Sequence, residues 1–121
     1  MAYHRLCESD YRFLSLIWAS EPVNSTELVR LCGAELGWKK STVYTMVKKL
    51  AEKGLIVSEN AVVRSLVSRE EIQRQESRTF VDQTFSGSLP GFIVSFYRGK
   101  GISPEEAAEL QKLIDELKRV P

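Results

Sequence analysis

The chain carries little of what most protein chemistry needs. Its 121 residues include one histidine, His4, and two cysteines, Cys7 and Cys32, which stand far apart with no CxxC. A bound transition metal needs several such ligands at close spacing. A cysteine nucleophile needs a base and a group to orient that base. No paired carboxylates and no glycine-rich phosphate loop supply another route, so neither catalysis, a metal nor a cofactor is expected. A disulfide between Cys7 and Cys32 is possible in principle but nothing favours it. The expected role is that of small hydrophobes, buried or half-buried, in a reducing compartment. No apolar run approaches the roughly 18 residues of a membrane span, and the N-terminus has no charged-then-apolar leader pattern. The expectation is therefore a cytoplasmic protein without membrane insertion. Internal repeats and low-complexity tracts are missing as well. Net charge is only +1, too small for composition alone to announce a nucleic-acid binder.

What is present is a local concentration of charge. The 43% hydrophobic and 27% charged residues suit a compact soluble chain. From Lys39 to Lys53, however, five lysines stand against Glu52. From Ser65 to Pro121 eight basic residues meet nine acidic ones. A basic helix on a nearly neutral body is an electrostatic footprint. The stretch from Trp38 to Ile56 carries it. Wound as a helix, it gathers Val43, Met46, Val47 and Leu50 on one side. Ser41, Thr45, Lys48 and Glu52 point the other way, and Thr42, Tyr44 and Lys49 lie on the flanks. One buried stripe opposite a basic, hydroxyl-rich face is what a major-groove reader requires.

The flanking chain prepares this helix. Ser9 or Asp10 is the predicted cap of a first helix through Ala19, with Tyr11, Phe13, Leu14, Leu16, Ile17 and Trp18 apolar. Trp18 is expected as a core anchor. Ser20, Glu21 and Pro22 end the helix, and Val23 is expected to be extended. Asn24 with Glu27 resembles a capping box for a second helix, which stops between Leu31 and Leu36. Two helices, a brief turn and a basic helix make a helix-turn-helix. Beyond Gly54, the β-rich segments 55–57 and 62–67 flank Ser58, Glu59, Asn60 and Ala61. That pattern predicts a hairpin wing carrying Arg64, with Asn60 at positive φ.

Ser68 and Glu71 form a second capping-box signature, for a helix from Arg69 to about Phe85. Gly87 breaks it, and a short apolar helix covers Leu89 to Tyr97. Ser103, Pro104, Glu105 and Glu106 start a last helix with Ala107, Leu110, Leu113, Ile114 and Leu117 as its stripe. The fold class expected is mainly α with a small β-hairpin wing. A winged helix-turn-helix domain (1–68) precedes a three-helix dimerisation region (69–121). Those three helices are too short to hide Phe80, Phe85, Leu89, Phe92, Ile93, Phe96, Leu110, Leu113, Ile114 and Leu117 among themselves. Packing back on the first domain is one solution. A two-fold dimer that pairs two readers over a pseudo-palindrome is the favoured one.

Particular strings carry a resemblance. Thr42-Val43, Lys48-Lys49-Leu50 and Lys53-Gly54-Leu55-Ile56 resemble the recognition helix and wing start of the penicillinase-repressor family. That family also contains the methicillin-resistance and copper-transport repressors. Leu66 through Glu71 resembles its junction between wing and dimerisation helices. Phe80-Val81, Phe85-Ser86-Gly87-Ser88 and the run to Phe96 resemble its dimer-forming segment. The resemblance spans nearly the whole chain and implies a homodimeric winged-helix repressor on palindromic operators. It also implies release by a membrane sensor protease that cuts in the dimerisation region. The corresponding bond is Ser95–Phe96, with serine where the family has asparagine. Copper-responsive members carry a C-terminal cysteine motif, and this chain has no cysteine after Cys32, so direct copper sensing is not expected. The serine that the family often has near the start of the recognition helix is Lys39 here. The wing is shortened and lacks the usual glycine and aromatics.

The expected partner is double-stranded operator DNA. Lys39, Lys40, Lys48 and Lys49 are assigned to phosphates, and Ser41, Thr42, Tyr44 and Thr45 to base edges, with Arg64 on the wing. Lysines release counterions and give salt-sensitive affinity. Hydroxyls and the threonine methyl can discriminate bases. The alternative is a winged-helix protein-interaction module without direct DNA readout, its lysines facing an acidic partner.

Overall fold

The computed structural model describes residues 6–121. Those residues form α1 (Glu8–Ser20), β1 (Val23–Asn24), α2 (Ser25–Leu36), α3 (Lys40–Glu52), β2 (Ile56–Glu59), β3 (Val62–Ser65), α4 (Arg69–Phe85), α5 (Leu89–Tyr97) and α6 (Pro104–Leu117). The chain divides into two compact units, Met1–Phe80 and Val81–Pro121, with the boundary inside α4.

In the first unit the apolar period of α1 takes Phe13, Leu14 and Ile17 entirely out of solvent. They share one core with Leu28, Cys32, Val43, Met46, Leu50, Ile56, Val63 and Ile72. The helix starts one turn earlier than its sequence suggests. Cys7 is the N-cap, and Asp10 sits in the first turn, accepting the Cys7 backbone N–H on Oδ2 at 3.4 Å. At α2, Asn24 Oδ1 accepts the Thr26 N–H at 2.8 Å, as a cap should. Glu27 does not close the expected box. It turns outward to Arg30, whose Nε lies 2.9 Å from Oε2. Cys32 is buried as expected, and burial pushes its thiol up to about 11. Cys7 is exposed rather than buried, because the cap position lies outside the helix's apolar phase.

Helix α3 closes with a Schellman motif. The Leu55 N–H donates to the Leu50 carbonyl at 3.0 Å and the Gly54 N–H to Ala51 at 3.0 Å. Gly54 takes φ +77° there, a conformation that costs glycine nothing. The turn sends the chain straight into β2. Strands β2 and β3 pair from Ile56↔Ser65 to Glu59↔Val62, joined by two residues. Asn60 has positive φ as expected, and so has Ala61 (53° and 63°), the geometry of a type I′ turn. Val23 does more than extend: β1 pairs antiparallel with β3 through Val23↔Val63 and Asn24↔Val62, giving the order β1-β3-β2. The Ser25 N–H also donates to the Ala61 carbonyl at 2.8 Å. The wing tip is thereby tied to the start of α2.

Trp18 is half-buried and works as a clamp rather than as a core residue alone. Its indole N–H donates to the Val67 carbonyl at 2.9 Å, and the Arg69 guanidinium lies 4.9 Å from its ring. The Ser68–Glu71 box forms reciprocally, at 3.1 and 3.2 Å, and Ile72 on the same helix is buried.

The second unit is built differently. Ser88 Oγ accepts the Gly91 N–H at 2.9 Å and Ser103 Oγ the Glu106 N–H at 3.1 Å, so both short helices are capped. Phe85, Phe92 and Phe96 form a row with centroids 5.4 and 5.8 Å apart. The Tyr97 hydroxyl donates to Glu106. Yet no residue of Val81–Pro121 is buried.

Ala61 stores the wing's strain. A side chain in the left-handed region costs about 1–2 kcal/mol. Ala61→Gly relieves that and gives back part of it through the freer unfolded chain, so the urea midpoint should rise by an amount worth about 0.5 kcal/mol. A lowered midpoint would contradict the assignment of strain.

Candidate nucleic-acid interface

Helix α3 begins without help from a side chain. Lys39 is its N-cap in extended conformation and makes no capping hydrogen bond. Packing holds it instead, through Val43 (1% exposed), Met46 (8%) and Leu50 (0%). Because these follow the helical period, the opposite face is fixed. Lys40, Tyr44 and Lys48 stand one turn apart in one row, Ser41 and Thr45 in the next, and all are exposed. Thr42 is exposed on the flank and Lys39 at the start. The Lys40 ammonium lies 5.8 Å from the centroid of the Tyr44 ring, within cation–π reach. Thr45 Oγ1 donates to the Ser41 carbonyl at 3.0 Å. That bond occupies the hydroxyl proton and leaves the γ-methyl and the oxygen lone pairs outward. Arg64 is exposed on β3, paired across the hairpin with Val57.

Lys49 is placed differently from the other lysines. Its ammonium lies 2.9 Å from Asp10 Oδ1, and that of Lys53 lies 3.4 Å from Oδ2. The Asp10 side chain is 1% exposed, the Lys49 side chain 42% and that of Lys53 25%. Burial alone would raise the Asp10 carboxyl. Hydrogen bonds from Lys49 and from Cys7, with the Lys49 charge, hold it below its usual 3.8. The same bond holds Lys49 above its usual value against the loss of solvation. Thus α3 presents Lys39, Lys40 and Lys48 to solvent, while Lys49 and Lys53 anchor it to α1.

Asp10 is the residue that the sequence alone did not single out for this role. A signal was present: it lies three, four and seven positions before Phe13, Leu14 and Ile17, in phase with the buried stripe. A carboxylate there demands a cationic partner. His4 lies outside the described residues. Among the described residues no group of three metal-ligating side chains comes together, and no helix is long and apolar enough to cross a membrane.

The proposed interface residues of α5 and α6 are largely solvent-facing. Leu89 is 57% exposed, Phe96 64% and Leu117 68%, and Ile93, Leu113 and Ile114 are exposed too. Phe80, Phe85, Phe92 and Leu110 are half-buried. Ser95, beside Phe96, is exposed near the end of α5.

The comparisons agree with this architecture. The family model described as penicillinase repressor matches residues 6–116. A penicillinase repressor of Bacillus licheniformis is 20% identical over 118 residues, covering 94% of this chain and 92% of that protein.

The pair's effect on stability has a defined pH window. Asp10 is depressed in the fold, so its contribution is fully present above the ordinary 3.8 and is lost as pH falls through the lower folded value. Lys49 is raised, so its share is present below the ordinary 10.5 and is lost only as pH climbs through the higher folded value. Asp10→Asn should therefore be less stable than wild type at neutral pH, with the gap closing as pH falls below 3.8. Urea unfolding of both proteins across that range measures it, and a gap that does not change with pH contradicts the pairing.

Proposed function

The chain belongs to the penicillinase repressor family, and from that premise we propose that it binds duplex operator DNA as a homodimer through α3. Members of the family are transcriptional regulators, not enzymes. The observation that carries the proposal is the outward face of α3. Lys40, Tyr44 and Lys48 form one exposed row, Ser41 and Thr45 a second, on a helix whose reverse side is locked in the core. An α-helix fits the major groove of B-DNA, and its exposed row meets base edges while cations at its borders meet phosphates. Lys39, Lys40 and Lys48 supply the phosphate contacts. Ser41, Thr42, Tyr44 and Thr45 face the bases. Thr45, with its hydroxyl proton engaged by Ser41, offers its methyl to a thymine methyl. The wing is short and tied down at Ala61, so Arg64 reaches only the backbone beside the groove.

Dimerisation follows from the second unit. Burying none of its residues, it leaves Leu89, Val94, Phe96 and Leu117 more than half exposed. Patches of this kind are covered in solution by a partner. A second copy satisfies the symmetry of an inverted-repeat operator, because a two-fold axis relates both proteins and half-sites. The release step that the resemblance implies falls on Ser95–Phe96, one turn before Gly99 and Gly101, both at positive φ. A cut there severs α6 from the Phe85–Phe92 pair, and with it the apolar surface that closes the dimer.

Two measurements test this reading. Lys40→Ala with Lys48→Ala should weaken binding to every duplex and flatten the slope of log affinity against log salt by about 3.6 for the dimer, near 0.9 for each of the four phosphates lost. An unchanged slope removes α3 from the interface. In sedimentation at micromolar concentration the wild type should run as a dimer. Phe96→Asp should loosen it by about thirtyfold or more, the effect of losing a central apolar anchor. A monomeric wild type would sink the dimer.

A further inference from the structure

We infer that Asp10 is a positioning residue for DNA recognition: it holds Lys49 and Lys53 off the phosphates and so limits the sequence-independent part of the affinity. This rests on the reading of α3 as a DNA reader.

The geometry is specific. A carboxylate with 1% of its side chain exposed lies 2.9 Å from one ammonium of α3 and 3.4 Å from another. It accepts a backbone N–H from Cys7 as well. Lys49 and Lys53 cannot both leave for phosphates without stranding a buried negative charge, and such a charge is far costlier to leave unpaired than a surface phosphate contact is rewarding. Lys49 and Lys53 are nevertheless partly exposed, at 42% and 25% of the side chain. Lys49 follows Lys48 in the chain, and Lys48 is exposed. Freed from Asp10, either long flexible stem would place its charge at the edge of the groove. In the folded protein Asp10 therefore quenches two of the five lysines between Lys39 and Lys53. Phosphate contacts add affinity for all sequences alike, whereas base contacts separate one sequence from another. Removing two lysines from the first class raises the ratio between operator and bulk DNA. The same bonds tie the C-terminal turn of α3 to α1, which fixes the angle at which Tyr44 and Thr45 are presented.

The experiment compares wild type, Asp10→Asn, Lys49→Met and the double variant, using a DNA duplex of random sequence and the operator duplex recovered by selection with the wild-type protein. Asparagine still accepts the Cys7 N–H, and Lys49→Met keeps the stem, so two independent variants report even if one unfolds. The full chain is used throughout. Asp10→Asn should steepen the salt slope of the dimer on random duplex by about 2, near 0.9 for the one phosphate gained by each protomer. The same change makes affinity fall about twelvefold more between 50 and 200 mM salt than it does for wild type. Its operator-to-random ratio should fall. Lys49→Met should leave the wild-type slope unchanged, and the double variant should keep only the part of the steepening that Lys53 supplies. An Asp10→Asn slope equal to wild type, or a Lys49→Met slope flatter than wild type, overturns this inference while leaving α3 as the reader. No salt-dependent duplex binding by wild type overturns both readings at once. A merely structural role for Asp10 would change melting without changing the slope.

Discussion

The shared core of α1 and α3 is the constraint on which the rest depends. Phe13, Leu14 and Ile17 on one helix and Val43, Met46 and Leu50 on the other belong to a single buried cluster. Their common phase fixes the rotation of α3 about its own axis. Turning α3 by one residue's angle would bury Tyr44 and expose Val43. Everything chemical about the outward face follows from this apolar choice, because polar side chains on a surface helix do not determine its rotation themselves. The sheet adds the second restraint. The Schellman turn at Gly54 launches β2 directly from α3, and β1 fastens β3 to the start of α2. The helix-turn-helix and its wing are thus closed into one loop of contacts around the same core.

Local rules recovered most of the elements. Ser68 and Glu71, Ser103 with Pro104, and Asn24 mark helix starts through contacts within a few residues, and each forms its cap in the structure. Asn60 at the hairpin tip is legible for the same reason. Features set by long-range pairing were not legible. The antiparallel bridge from Val23 to Val63 spans forty positions, and a two-residue strand carries no period of its own. Trp18 shows its hydrophobic phase in the sequence, but its hydrogen bond to Val67 depends on where a chain segment far along returns. The outward face of α3 was legible because amphipathic phase dictates it. The partner of Lys49 was not, since Asp10 reads locally as a candidate helix cap and only its phase with Phe13 and Leu14 hints at burial.

The two units handle apolar surface in opposite ways. The first builds a core of thirteen buried hydrophobic residues, and its polar interior group, Asp10, is fully paired. The second caps both of its short helices well and stacks Phe85, Phe92 and Phe96 in a row, yet buries none of its residues. Helices of nine and fourteen residues have too little length to wrap a core of their own. Good caps with an open apolar face describe an element prepared for association. The caps hold the helices in shape while the hydrophobic stabilisation comes from another surface. On the proposed reading that surface is the partner copy, and symmetry then gives α3 a second equivalent to work with.

A net charge of +1 bears on how such a reader discriminates. A protein that relied on phosphate attraction would bind the whole genome, since sequence-independent contacts are offered at every base pair. Here the acidic residues beyond the wing offset the lysines globally, and Asp10 offsets two of them locally, at contact distance. The two offsets differ in kind. Dispersed acids act through solvent and are screened within about 10 Å at ordinary salt. A buried carboxylate at 2.9 Å is not screened, so its grip on Lys49 persists at every ionic strength at which DNA binding matters. The number of lysines left to the phosphates is then a property of the fold rather than of the buffer. On the proposed reading, with phosphate contacts limited to Lys39, Lys40 and Lys48, the hydroxyls and the Tyr44 ring carry a larger share of the total affinity. A short wing fits that reading, because it adds little backbone contact to dilute base contacts by α3.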